Sequence, residues 1–179
     1  MEPWYIATKR FGPWDGEAWR KYTDWAGLGA LRELVSLDAI LCPTVLPEIR
    51  DDYWPHIVNE DFMLNFFTSL DFLLDEIATI PDRNLLCVFR NPPRHPAPPD
   101  ARIPFDFAGY DVVDIHGDVS ALTNCGGFPD VFSSAELQPF GLLSSHDRAV
   151  EVQAGLRQLH RDEPHANCHV WAIFRAAAD

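Results

Sequence analysis

Three short runs of the chain alternate, more or less regularly, between hydrophobic and polar positions, and a fourth, at residues 84–89, is continuously apolar as in a fully buried strand. These runs predict strands at residues 4–9, 84–89, 110–115 and 168–174. The run at residues 110–115 lies in the stretch from Phe105 to Gly127, around which the rest of the chain is organised. Its adjacent Val112 and Val113 indicate a strand that is covered on both faces or carries a bulge, and we expect it to be central in the sheet.

Three other segments place their apolar residues three and four positions apart, which is the spacing of an amphipathic helix. They predict helices at residues 15–28, from Asn59 or Glu60 to about residue 80, and from Ser144 or Ser145 to about His160. Residues 31–41 fit either a helix or a strand, and we favour a strand. Residues 91–104 contain six prolines and predict an extended surface loop with local basic residues.

The order of these elements predicts the fold class. Some strands follow one another without an intervening helix, which argues against a purely parallel sheet. We therefore expect a single α+β domain over residues 1–179, with a mixed or antiparallel sheet of four to five strands and about three helices packed on it.

Charge is distributed unevenly. The formal net charge is −13, and residues 31–82 carry eleven acidic and two basic residues, a net charge of −9. Such a field repels nucleic acid and anionic membrane surfaces, which attract proteins through Lys and Arg, so we expect neither as a partner. Simple solubility would also explain the charge, but a basic protein is the partner that complements it.

The acidic surface, defined here as residues 48–61 with 71–76, is the candidate binding site. It combines carboxylates with two aromatic residues, Tyr53 and Trp54, of the types that dominate protein interfaces, and we expect both to be exposed. The candidate binding residues are Glu48, Asp51, Asp52, Tyr53, Trp54, Glu60 and Asp61.

Cys125 offers a second kind of chemistry. It lies in Thr-Asn-Cys-Gly-Gly, where glycines could expose a thiol, and His116 is near enough in sequence to act as its base. Glycines in such a run mark a turn more often than a catalytic site. The four cysteines show no close pairing, which together with the absence of an apolar leader or a membrane span predicts a cytoplasmic protein with reduced thiols.

A metal site is the third candidate. On a strand, Asp114, His116 and Asp118 would share one face at a period of two, which suits carboxylate and imidazole ligands. The alternative is a solvated strand face. No nucleotide-binding loop and no zinc-protease motif occurs, so we expect no cofactor.

The segments WRKYTDWAGL, LVSLDAILCP, AGYDVVDIHGDVSALTNCGGFP and HANCHVWAIFR resemble an uncharacterised family of small acidic bacterial proteins. The resemblance covers most of the chain and implies no site residues. In general character the chain is also similar to immunity proteins that neutralise toxin domains. The leading hypothesis is therefore a cytosolic bacterial binding protein, with an immunity-type inhibitor as its specific form. The alternatives are a small enzyme that uses the thiol or metal site and a structural subunit of a larger assembly.

Overall fold

A four-stranded antiparallel sheet forms the centre of the protein. The structure is a computed structural model that describes residues 2–60, 62–94, 96–97, 102–117, 119–123 and 127–177. The strands are β1 (Trp4–Lys9), β2 (Arg83–Arg90), β3 (Phe105–Asp114) and β4 (Cys168–Ala176). Their order in the sheet is β1-β2-β4-β3, and every pair of neighbours is antiparallel.

The described residues form three α-helices beside the sheet, which confirms the predicted α+β class. They are α1 (Glu17–Ala26), α2 (Leu70–Glu76) and α3 (His146–Leu159). Ser69 and Ser145 begin α2 and α3, because each side chain accepts a hydrogen bond from a backbone N–H of the first helical turn. Short 3-10 turns occur at 13–15, 51–53, 134–136 and 164–166.

Alternate residues of each strand point to opposite faces of the sheet, and both faces are buried by the segments that pack on them. One face packs against α2 and α3, with Tyr5 and Val170 among its strand residues. The other face, with Val88 and Trp171, is covered by irregular segments that supply side chains such as Phe66. A smaller cluster packs α1 against the segment that contains Leu34.

The predicted helix from Asn59 or Glu60 is wrong over its first half. Only Leu70–Glu76 is helical, and the preceding residues run along the free edge of β1. There the Tyr5 N–H donates to the Phe67 carbonyl at 2.8 Å, and the Phe67 N–H donates back at 2.7 Å. Phe66 and Phe67 consequently enter the clusters on opposite faces of the sheet. This pairing with β1 overrides the helical spacing of the segment.

β3 lies at the edge of the sheet rather than at its centre. Its outer side is nevertheless paired, since Tyr110 exchanges two backbone hydrogen bonds with Leu143 at 2.8 and 3.0 Å. At the adjacent valines β3 is covered on both faces, since Val112 and Val113 enter the clusters on opposite faces of the sheet; its register shift lies elsewhere, between Phe107 and Gly109. Gly109 has φ +145°, and a Cβ there would lie 2.6 Å from Leu142 Cβ, so glycine is required at this close approach.

Two further segments complete the frame. Residues 31–41 form neither strand nor helix and make only an isolated bridge between Leu34 and Phe11. The described residues of the proline-rich segment 91–104 have no regular secondary structure. Within the described ranges, no helix is long and apolar enough to cross a membrane.

Candidate functional site

Tyr53 holds the acidic surface in place. We expected its side chain to be exposed, but it is buried. Its ring packs edge-on against Phe67 and Phe72, at centroid distances of 5.5 and 5.4 Å. Its hydroxyl donates to Glu76 Oε2 at 2.8 Å. Burial, and then the hydrogen bond to Glu76, raise the pKa of Tyr53 to about 12. Tyr53 is therefore an anchor of this surface and not one of its contact residues.

Arg50 strengthens the same anchor. Its guanidinium lies 4.7 Å above the Tyr53 ring and pairs with Asp52 at 3.1 Å and with Glu76 at 2.7 Å. These contacts join the 3-10 turn at 51–53 to the end of α2. The anchor fixes the backbone of the turn, while the side chains on its outer side stay in solvent.

Arginines neutralise part of the acidic surface and leave the rest unpaired. Glu60 pairs with Arg90, where Nη2 lies 2.9 Å from Oε1, and Arg102 pairs with Asp71 at 3.1 Å. The described residues provide no basic partner for Glu48, Asp51 or Asp75. Asp61 lies outside the described residues.

Apolar side chains stand beside these free carboxylates. Trp54 follows the 3-10 turn directly and is 57% exposed, and Ile49 precedes the turn and is 45% exposed. An exposed Trp with a neighbouring aliphatic residue and free carboxylates has the composition of an interface core with a charged rim. The sequence identified Trp54 but missed Ile49, for which only its position beside the acidic run gave a signal.

The thiol candidate is only partly located. Cys125 lies outside the described residues. His116 is exposed in the turn after β3, where its backbone N–H donates to Asp114 Oδ1 at 2.8 Å. The other three cysteines, Cys42, Cys87 and Cys168, are buried free thiols. Burial raises the pKa of Cys87 to about 12 and that of Cys168 to about 11, so neither is a reactive thiolate at neutral pH.

The metal candidate does not form the predicted strand face. β3 ends at Asp114, and His116 lies in the following turn, so the period of two does not extend to it. Asp114 is buried and accepts hydrogen bonds from the backbone N–H groups of His116 and of Val119, the latter at 3.2 Å. Asp118 lies outside the described ranges, within which no group of three or more His, Cys, Asp or Glu residues could hold a metal ion.

A buried carboxylate network, which the sequence did not reveal, fixes the segment 31–41 on the sheet. Asp111 Oδ2 accepts hydrogen bonds from Ser36 Oγ at 2.7 Å and from the Leu37 N–H at 3.0 Å. Its Oδ1 accepts from the Val112 N–H at 2.9 Å and also from Ser120 Oγ. Burial raises the pKa of Asp111 above its usual range. The network is structural, because all four donors come from the protein itself.

A cleft of about 550 Å³ lies between α3 and the start of β4 and contains two histidines. His169 Nδ1 lies 3.0 Å from Asn91 Nδ2, and His146 Nε2 lies 3.1 Å from the Pro92 carbonyl oxygen. Burial, together with the positive charge of Arg90, lowers the pKa of His169. The cleft could admit a small polar molecule, but burial raises the pKa of its thiol, Cys168, and no three His, Cys, Asp or Glu side chains among the described residues are grouped to hold a metal ion.

Comparison with protein-family models, with curated proteins and with solved structures finds no match for this chain.

Proposed function

We propose that this protein binds a basic protein partner through its acidic surface, as an immunity-type inhibitor binds a toxin domain, and that it acts in the bacterial cytoplasm. The observation that carries the proposal is the buried Tyr53 anchor, which holds Trp54 exposed among unpaired carboxylates. The free thiols of Cys42, Cys87 and Cys168 agree with a reducing compartment.

The anchor lowers the cost of binding. An interface loop that must be ordered on association costs binding free energy, whereas a loop already fixed avoids that cost. Here the turn at 51–53 is fixed from below by packing, by the Tyr53–Glu76 hydrogen bond and by Arg50. The exposed Trp54 side chain is accordingly held in position for contact with a partner, and Trp is among the residue types that most often dominate the binding free energy of an interface.

The unpaired carboxylates select the sign of the partner. Glu48 and Asp51 lie on either side of Ile49, within four residues of sequence. Asp75 lies next to Glu76, and the ion pair between Glu76 and Arg50 connects this end of α2 to the turn at 51–53. A basic partner would satisfy these charges, gain a higher association rate and exclude acidic competitors. A neutral or acidic partner would leave them facing like charge or apolar surface.

The test is site-specific photocrosslinking in the host cells, with p-benzoylphenylalanine in place of Trp54. The matched control places the same group at Trp25, which is 68% exposed on α1 and far in sequence from the acidic surface. We expect one defined adduct from position 54, with a basic protein, that is absent from position 25 and lost when Asp51→Lys is added. Equal adducts at both positions, or adducts insensitive to Asp51→Lys, would contradict the proposal.

A further inference from the structure

A cavity at the end of the β3–β4 pair is lined by more basic than acidic side chains, although the protein as a whole is acidic. It has a volume of about 410 Å³, which falls within the usual size range of small-molecule sites. Its lining includes three arginines, Arg10, Arg32 and Arg175, and two carboxylates, Glu33 and Asp106. Three positive and two negative charges leave a local excess of positive charge in a chain whose formal net charge is −13.

Glu33 fixes the positions of two of these arginines. Its buried carboxylate accepts from Arg10 Nε at 2.8 Å and Nη2 at 3.0 Å, and from Arg175 Nη2 at 3.0 Å. A guanidinium carries five N–H donors, so both arginines keep further N–H groups that no acceptor among the described residues engages. The guanidiniums are thus positioned in advance without being used up.

Among the described residues that line this cavity, Arg32 is the cation without an ion pair. Its exposed side chain has no hydrogen bond or ion pair with the described part of the chain. Its backbone is nevertheless held, because the Arg32 N–H donates to the Pro139 carbonyl at 2.8 Å and the Val35 N–H donates to the Phe140 carbonyl at 3.0 Å. Arg32 therefore lies at the cavity on a fixed backbone, with its guanidinium open to solvent.

An aromatic wall accompanies the cations. The Arg175 guanidinium lies 5.4 Å from the Phe140 ring centroid, and Phe140 lines the cavity together with Ala108. Arginine recognises carboxylate and phosphate groups through paired N–H donors, and an adjacent aromatic ring adds an apolar surface for the rest of a ligand.

We propose that this cavity binds a small organic anion. The carboxylate or phosphate group of the ligand pairs with Arg32 and with the remaining N–H groups of Arg10 and Arg175, and a planar apolar part packs on Phe140. This site is separate in charge and in residues from the acidic surface, so a failure of either proposal leaves the other standing.

The test is calorimetric titration of the full chain with phenyl phosphate, benzoate and inorganic phosphate at low salt. We expect an aromatic anion to bind more tightly than inorganic phosphate. A preference for phenyl phosphate assigns a phosphate ligand, and a preference for benzoate assigns a carboxylate. Arg32→Gln should weaken binding by about tenfold, because it removes a charge-assisted hydrogen bond from an exposed side chain.

Two variants separate the site from general surface charge. Arg161→Gln removes the same charge from an exposed position after α3 and should leave the affinity unchanged. Phe140→Leu should reduce the advantage of the aromatic anion over inorganic phosphate while leaving phosphate binding intact. The absence of binding at millimolar concentration, or equal losses in Arg32→Gln and Arg161→Gln, would overturn the proposal.

Discussion

The Tyr53 anchor can be tested without knowledge of the partner, by the substitution Tyr53→Phe. This change keeps the ring packed against Phe67 and Phe72 and removes only the hydroxyl that donates to Glu76 at 2.8 Å. Because the pKa of Tyr53 is raised to about 12, the hydroxyl is protonated at neutral pH and acts as the donor. The variant therefore isolates one hydrogen bond to a carboxylate.

The expected loss follows from the surroundings of Glu76. A hydrogen bond to a charged group contributes about 1.5–3 kcal/mol. Glu76 keeps its ion pair with Arg50 at 2.7 Å, and its side chain remains 19% exposed, so water replaces part of what is lost. We expect the lower end, about 1.5 kcal/mol, which for a chain of this length lowers Tm by about 3–6 °C.

The assay is urea unfolding followed by fluorescence, compared with Tyr5→Phe. Tyr5 is also a buried aromatic residue of the same cluster, but its hydroxyl has no hydrogen-bond partner in the described part of the chain. Tyr5→Phe should change the free energy of unfolding by less than about 0.5 kcal/mol. Equal losses in the two variants, or no loss in Tyr53→Phe, would refute the anchor.

Three further predictions concern the interior. Asp111→Asn should lower the free energy of unfolding, measured by urea titration, by about 2–3 kcal/mol, because both carboxylate oxygens of Asp111 accept hydrogen bonds and an amide nitrogen cannot accept one. Asp106→Asn, at an exposed position of the same strand, should leave that free energy unchanged. Iodoacetamide at about pH 7.5 should leave Cys42, Cys87 and Cys168 unlabelled in the folded protein, as detected by mass spectrometry, because burial raises the pKa of each thiol. Rapid labelling of these three would contradict their burial. Rapid labelling confined to Cys125 would favour the thiol-enzyme alternative. Burial lowers the pKa of His165 below its usual 6.5, so as the pH falls through 6.5 the unfolded chain binds a proton first and stability is lost; His165→Leu should reduce this loss in thermal melts, and an unchanged pH profile would contradict it.

Much of the fold could be predicted from local patterns. The alternation in WYIATK and CHVWAIF is set by the two buried faces of one sheet, so β1 and β4 were located closely from sequence. α3 was predicted because Ser145 caps it and its apolar residues recur at helical spacing. The helix prediction was wrong for the segment before α2. Its aromatic residues fit a helical spacing, but backbone pairing of Phe67 with Tyr5 decides its conformation.

The candidate site was harder to predict because it depends on contacts between distant residues. Tyr53 and Trp54 are adjacent in sequence and equal in type, and only the contact with Glu76 and Phe67 places one inside and the other in solvent. In the arginine cavity, Glu33 joins Arg10 to Arg175, while Arg32 lines the same cavity without pairing with Glu33, a combination that no local pattern contains. The buried role of Asp111 likewise depends on Ser36, which lies 75 residues away in sequence.

The most direct test of the acidic surface as a binding site is the affinity of the crosslinked partner for wild-type protein, Asp51→Lys and Asp24→Lys, measured at low and at physiological salt. Asp24 is exposed on α1 and provides the same charge reversal away from the site. The proposal predicts roughly tenfold weaker binding for Asp51→Lys, mainly through slower association and less marked at higher salt, with Asp24→Lys close to wild type. Unchanged affinity of Asp51→Lys at low salt would contradict it.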